Sequence, residues 1–138
     1  MAEAVALDTS ACLALLENED GAEIVETYLL EARAGNALLH GSFVTLTEVE
    51  YIVTQERGGA DATEALEKVQ AWPMQWHHSD DAMCSAAAKL KAAHKLSFAD
   101  SFVVALAQRL DATLVHKDPE IEALGAAVKQ QMLPPKTP

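Results

Sequence analysis

Basic residues are scarce in this sequence. Ten Lys and Arg stand against 21 Asp and Glu, a formal charge of −11. That excludes a protein that holds nucleic acid through a broad basic surface. It leaves room for an enzyme that meets a phosphate backbone through metal ions, and it favours a basic protein partner. Cysteine is nearly absent. Cys12 and Cys84 each fall among small apolar residues in a helical pattern, so both are expected to be reduced, buried thiols; two cysteines alone make no structural zinc site. No apolar run reaches the roughly 18 residues that suggest a membrane span. No basic stretch precedes the first apolar residues, so no secretory signal is expected, and the protein is expected in the cytoplasm. A glycine-rich phosphate loop, an internal repeat and a low-complexity segment are all missing, and nothing argues for a Ser-His-Asp or Cys-His arrangement.

What is present suits one α/β domain. The length of 138 residues fits a single domain, and a hydrophobic share of 50% is enough for a real core. The domain is expected over residues 1–132, with a loose tail over 133–138 whose prolines bar a helix. Short apolar runs alternate with longer helical patterns, which points to a parallel sheet covered by helices. Strands are expected at Val5–Leu7, Ala37–His40, Met74–His77 and Thr113–Val115, with a last edge strand at Ala126–Val128. Helices are expected from about Ser10 to Glu17, from an Asp20 cap (paired with Glu23) to Gly35, from a Thr45 cap to Gly58-Gly59, and from Ala60 to Ala71. Three more follow, from a Ser79 cap through Asp80 to Lys95, from Phe98 to Leu110, and from Pro119 to Leu124.

Four acids fall where such a fold gathers ligands. In open parallel sheets that place is the crevice beyond the carboxyl ends of the strands. Asp8 directly follows the first strand, and Asp118 closely follows the fourth. Glu48 and Asp100 are expected in the first turns of helices that start near the same edge. Each acid alone also reads as a helix cap or a dipole-compatible charge: Thr45-Leu46-Thr47-Glu48 and Ser97-Phe98-Ala99-Asp100 both have the capping-box spacing. The conjunction is what points to a site. Two carboxylates about 4 Å apart repel by roughly 4 kcal/mol at an effective dielectric near 20. A divalent cation removes that cost. Oxygen-only ligands select Mg²⁺ or Mn²⁺ over zinc, and such an ion suits phosphodiester hydrolysis.

At these residues the sequence resembles the PIN-domain family, and within it the VapC-type toxins of bacterial toxin–antitoxin pairs. The resemblance rests on four blocks: Ala6-Leu7-Asp8-Thr9-Ser10-Ala11, Val44-Thr45-Leu46-Thr47-Glu48-Val49, Leu96-Ser97-Phe98-Ala99-Asp100-Ser101-Phe102, and Ala112-Thr113-Leu114-Val115-His116-Lys117-Asp118. It implies a three-layer α/β/α sandwich around a parallel sheet of four to five strands. It further implies a Mg²⁺- or Mn²⁺-dependent endoribonuclease acting on RNA, a homodimer, and a cognate antitoxin as inhibitor. By the family pattern Asp8, Glu48, Asp100 and Asp118 form the acidic catalytic and metal site, with Thr9 and Ser10 as polar groups beside it. One departure stands out. Two residues before the last acid the family usually carries Thr or Ser, and here it is His116. That histidine is expected either to contact phosphate, donate a proton or ligate the metal, or to be an exposed strand end without a role.

Other candidates carry less. Lys89, Lys91, His94, Lys95 and Lys117 can track an RNA backbone on the rim of the cleft, or simply complement a helix C-terminus. His77-His78 has no close acids except Asp80 and Asp81, which belong to a helix start, so a zinc site there is not expected. Trp72 and Trp76 are expected to pack rather than stack on bases. Two other classes remain for the chain as a whole. A phosphoacceptor receiver domain also places an Asp at a strand end, but it needs an acidic pair after the first strand and an acceptor Asp after the third. A degenerate nuclease fold that only binds a partner would not need four intact acids.

Overall fold

The computed structural model of the protein describes residues 2–135. Five strands form one all-parallel sheet in the order β3-β2-β1-β4-β5: β1 (Glu3–Leu7), β2 (Ala37–Ser42), β3 (Met74–His77), β4 (Thr113–His116) and β5 (Gln130–Met132). The helices are α1 (Thr9–Leu16), α2 (Ala22–Arg33), α3 (Phe43–Arg57), α4 (Gly59–Ala71), α5 (Asp81–Ala93), α6 (Phe98–Leu110) and α7 (Pro119–Glu122). The expected three-layer sandwich is therefore the observed one.

Alternation along the strands builds the layers. Val5, Leu7, Leu39 and Val115 point to one side, where Cys12, Val25, Leu29, Val53, Ala65 and Val69 from α1 to α4 cover them. Ala6 and Leu114 point to the other side, under Met83 and Ala87 of α5 and the Phe102–Ala107 run of α6. A strand buried on both faces reads as an unbroken apolar run, which is why β1 and β4 stand out in the sequence. Each fully buried Leu or Val contributes roughly 1.5–3 kcal/mol. Gly41 meets a special demand: a Cβ there would lie 2.2 Å from the Trp76 ring, so that ring fills the space above the glycine. Trp72 and Trp76 both pack against the first core.

Several boundaries differ from the expectation, each for a local reason. Helix α3 starts at Phe43 and is capped by Ser42, whose Oγ accepts from the Val44 N–H at 3.4 Å. Thr45 is not the cap; it lies inside the first turn, fully buried. Strand and helix join with no loop between them, which puts Glu48 in the second turn rather than the first. Gly21, at φ +95°, precedes α2 in place of an Asp20 cap. Asp80 caps α5 instead of Ser79, accepting from the Met83 N–H at 2.7 Å. Ala126–Val128 is not a strand: Gly125–Ala127 forms a 3₁₀ turn, and the edge strand is the polar Gln130–Met132. The tail is not loose from its start. Leu133 is fully buried in the first core, and its N–H donates to the His116 carbonyl at 2.7 Å. Residues 136–138 lie outside the described residues. Cys12 is buried as expected, but Cys84 is exposed on α5. Among the described residues no helix is long and apolar enough to cross a membrane.

Candidate active site

Asp8 sits where β1 turns into α1. Its side chain is the N-cap of that helix, accepting from the Ala11 N–H at 2.8 Å and from the Ser10 hydroxyl at 2.7 and 2.9 Å on its two oxygens. It is only 3% exposed. Burial pushes its carboxyl up to about 7, against the pull of Ser10 and Ala11, and the charges of Asp118 and Glu48 push the same way. Asp118 caps α7 with Oδ1, accepting from the Glu120 N–H at 2.8 Å, ahead of Pro119 in the first helical position.

Asp100 lies in the first turn of α6, where its N–H donates to the Ser97 hydroxyl at 3.1 Å. Burial raises its carboxyl well above the usual range. The neighbouring Asp118 carboxylate adds to that, Ser97 opposes it, and Asp8 adds a smaller push. Glu48 reaches the site from α3, and its Oε1 accepts from the Thr9 hydroxyl at 2.6 Å. Thr9 and Thr45 hydroxyls stand 3.1 Å apart beneath it. Ser10 ties a third element in, its Oγ accepting from the Lys117 N–H at 2.9 Å.

These groups line one cleft of about 350 Å³, whose walls include Asp8, Ser10, Glu48, Asp100, Lys117 and Asp118. All four acids expected from the sequence thus share a cavity at the carboxyl edge of the sheet. Their donor chemistry is oxygen only, and the neighbouring carboxylates add to the raised proton affinity of Asp8 and Asp100. That is the electrostatics of a site suited to a hard divalent cation. As the side chains stand, no three His, Cys, Asp or Glu among the described residues are arranged to hold a metal ion. Asp118 Oδ1 is instead engaged by the Glu120 N–H, and Asp8 by Ser10 and Ala11.

His116 corrects part of the expectation. It is no exposed strand end; it has no accessible surface at all. Both ring nitrogens are used within the fold, Nδ1 by the Asp118 N–H at 3.0 Å and Nε2 by Gln130 Oε1 at 2.8 Å. That leaves neither free for phosphate or metal. Burial lowers its pKa, partly offset by Gln130 and the acids Asp118 and Glu122. Gln130 carries no signal in the sequence, since nothing local links it to a residue fourteen positions earlier.

Lys117 runs along the cleft wall with its side chain 9% exposed. Its Nζ is 3.6 Å from Glu19 and makes no hydrogen bond. Lys89, Lys91, His94 and Lys95 are exposed and not part of the cleft lining. His77 pairs with His40, not His78: His40 Nδ1 and His77 Nε2 are 2.9 Å apart, while His78 stacks on Phe43. Burial lowers the pKa of both paired histidines.

The architecture and the cleft define an α/β/α protein with an acidic pocket at the carboxyl edge of its sheet. The sequence matches the PIN domain family over residues 5–127, and the chain belongs to that family. Against curated proteins the sequence finds no match. Among solved structures it is similar to VapBC2 from Rickettsia felis, bound to a DNA fragment from its promoter. The TM-score there is 0.76 at 14% identity, covering 95% of this chain and 99% of that one. It is similar to Mycobacterium tuberculosis VapC20, a sarcin–ricin loop cleaving toxin, with a TM-score of 0.70 at 18% identity, covering 88% and 95%. It is also similar to VapBC-5 of the same organism, a member of a family of toxin–antitoxin systems, with a TM-score of 0.63 at 21% identity, covering 94% and 96%. At these identities the likeness is one of fold.

The order of the strands removes the receiver reading. Receiver domains follow the order 2-1-3-4-5, whereas this sheet runs 3-2-1-4-5, and its third strand ends in His77-His78 with no acceptor acid.

Proposed function

We propose that this chain is a metal-dependent endoribonuclease and the toxin of a type II toxin–antitoxin pair. The observation that carries the reading is the shared cleft of Asp8, Glu48, Asp100 and Asp118, in which burial and the neighbouring carboxylates raise the pKa of Asp8 and Asp100. These four residues would hold a Mg²⁺ or Mn²⁺ ion. Bound there, such an ion supplies an activated water and offsets charge on a phosphodiester undergoing in-line displacement. The chain's own residues provide positioning. Ser10 holds both oxygens of Asp8, Thr9 holds Glu48 by its Oε1, and the Lys117 ammonium, buried 3.6 Å from Glu19, places a positive charge behind the cleft wall.

The neighbours support the substrate and the partner. One is a toxin that cleaves the sarcin–ricin loop, which makes RNA the favoured substrate, and others are VapBC assemblies, which makes an antitoxin the favoured inhibitor. We expect that antitoxin to place a basic side chain in the acidic cleft, since an Arg pairs carboxylates bidentately. The protein acts in the cytoplasm as a homodimer. The α5–α6 face suits the dimer contact: it carries an apolar groove beside Phe98, which is 70% exposed.

The test is cleavage of a mixed RNA pool with Mg²⁺ or Mn²⁺ by wild type, Asp8→Asn and Asp100→Asn. Loss of an outer partner of a metal ligand typically costs 10–100-fold, so loss of a ligand itself is expected to cost roughly 100-fold or more. Equal cutting by all three would end the nuclease assignment at this cleft. Absence of cutting by wild type, with Mn²⁺ still bound, would favour a nuclease fold that only binds a partner.

A further inference from the structure

The bonds around His116 can be assigned atom by atom. A backbone N–H only donates, so the Nδ1 that meets the Asp118 N–H carries no proton, and the ring proton is on Nε2. Gln130 is fixed in the same way. Its Nε2 donates to the Gly125 carbonyl at 2.9 Å, which leaves Oε1 to accept from His116. Donor and acceptor thus alternate without conflict from Asp118 through His116 and Gln130 to Gly125. The strand that carries Gln130 is itself anchored. Leu133 is buried, and its N–H bonds to the His116 carbonyl; the Tyr28 hydroxyl donates to the Gln131 side chain.

This arrangement accounts for the departure from the family pattern. A Ser or Thr hydroxyl commonly bonds to the N–H two residues on. The imidazole Nδ1 supplies that same acceptor to Asp118. Its far nitrogen adds a tie to a separate strand, which a hydroxyl is too short to reach.

We propose that His116 and Gln130 are positioning residues that aim the Asp118 carboxylate into the cleft, with the imidazole replacing a strand-end hydroxyl and anchoring the Asp118 turn to β5. Neither residue touches substrate. The proposal rests on Asp118 belonging to the active site.

Measurements on the wild type and three variants test it. In the metal-free protein, nitrogen NMR is expected to show the Nε2–H tautomer of His116 and slow hydrogen exchange at the Asp118 amide. His116→Asn keeps an acceptor near the Nδ1 position; its Mn²⁺ affinity and RNA cutting are expected to stay within a few-fold of wild type. His116→Leu, with wild-type circular dichroism, is expected to expose the Asp118 amide to exchange and to lose roughly 10–100-fold in both Mn²⁺ affinity and cutting. Gln130→Met is expected to fall between these two. A proton on Nδ1 would overturn the proposal. So would a folded His116→Leu that matches wild type, or a His116→Asn as impaired as His116→Leu, which would leave bulk alone as the requirement. If His116→Leu does not fold, Gln130→Met and the tautomer decide between the two outcomes. If wild type neither binds Mn²⁺ nor cuts RNA, the nuclease reading fails, while the tautomer and the Asp118 amide still test the positioning role.

Discussion

Asp8 is asked to be two things at once, the cap of α1 and a buried acid. As a cap it is best charged. As a group 3% exposed beside Asp118 and Glu48 it is best neutral, and burial prevails, raising it to about 7. The sign of the linkage follows. A carboxyl whose folded pKa lies above its unfolded value adds stability below the unfolded value, near 4, and that stability is lost as pH rises through the folded value. Asp100 acts in the same direction. In the metal-free protein these two acids therefore lower the melting temperature at pH 8 relative to pH 5, while buried His40, His77 and His116 work the other way over the same range, and saturating Mn²⁺ is expected to restore most of the acids' share at pH 8. Compared with wild type, Asp8→Asn should gain melting temperature at pH 8 relative to pH 5. Scanning calorimetry of the two metal-free proteins across that range checks it, and the same pH dependence in both would contradict the electrostatics argued for the cleft.

Between elements, the site is assembled by hydroxyls. Thr9 on α1 donates to Glu48 on α3, and Ser10 on α1 accepts from the start of the β4–α7 turn. Thr9→Val keeps the shape of the side chain and removes the donor. Its expected cost to stability is about 1 kcal/mol, the ordinary worth of one hydrogen bond. Its expected cost to cutting is larger, roughly 10-fold, because Glu48 then loses the group that holds its Oε1. Chemical denaturation and RNA cleavage measured side by side separate the two effects; equal and small losses in both would reduce Thr9 to a packing residue.

Local signals account for what can be read at this scale. Met74–His77 and Phe98–Leu110 have the bounds expected of them, because Pro73 and Ser97 punctuate the chain directly before. Gln130–Met132 is hidden: its two glutamines give no strand pattern, and its place depends on pairing with β4. Thr45 mimics a cap because the Thr-x-x-Glu spacing is right, but Ser42 lies a turn earlier at the end of a strand. The four acids are legible because each sits at or near an element boundary. The contacts that hold them, such as Thr9 to Glu48, join residues 39 apart and leave no trace in local sequence.

Charge is divided across the whole molecule. The stretch from Glu17 to Lys68, whose charged residues lie on the α1–α4 side, holds twelve acids and three bases. Helices α5 and α6 with the turn between them hold two acids and four bases. Two copies meeting through the first layer would repel, whereas the second layer offers an apolar groove with Phe98 at its edge and no such penalty. Phe98→Glu is accordingly expected to turn a dimer into a monomer in sedimentation velocity, with the fold intact by circular dichroism. A variant that stayed dimeric would move the contact to another face.

Strand β5 closes the sheet with residues made after all four acids. A ribosome that has synthesised the chain as far as Lys129 has already joined every carboxylate of the cleft to the growing protein, yet His116 still lacks Gln130, and the turn bearing Asp118 is held only by Ser10 and its own helix cap. The last tie on the Asp118 turn is thus also the last to be made, and a chain halted at Lys129 would carry all four acids with that tie missing.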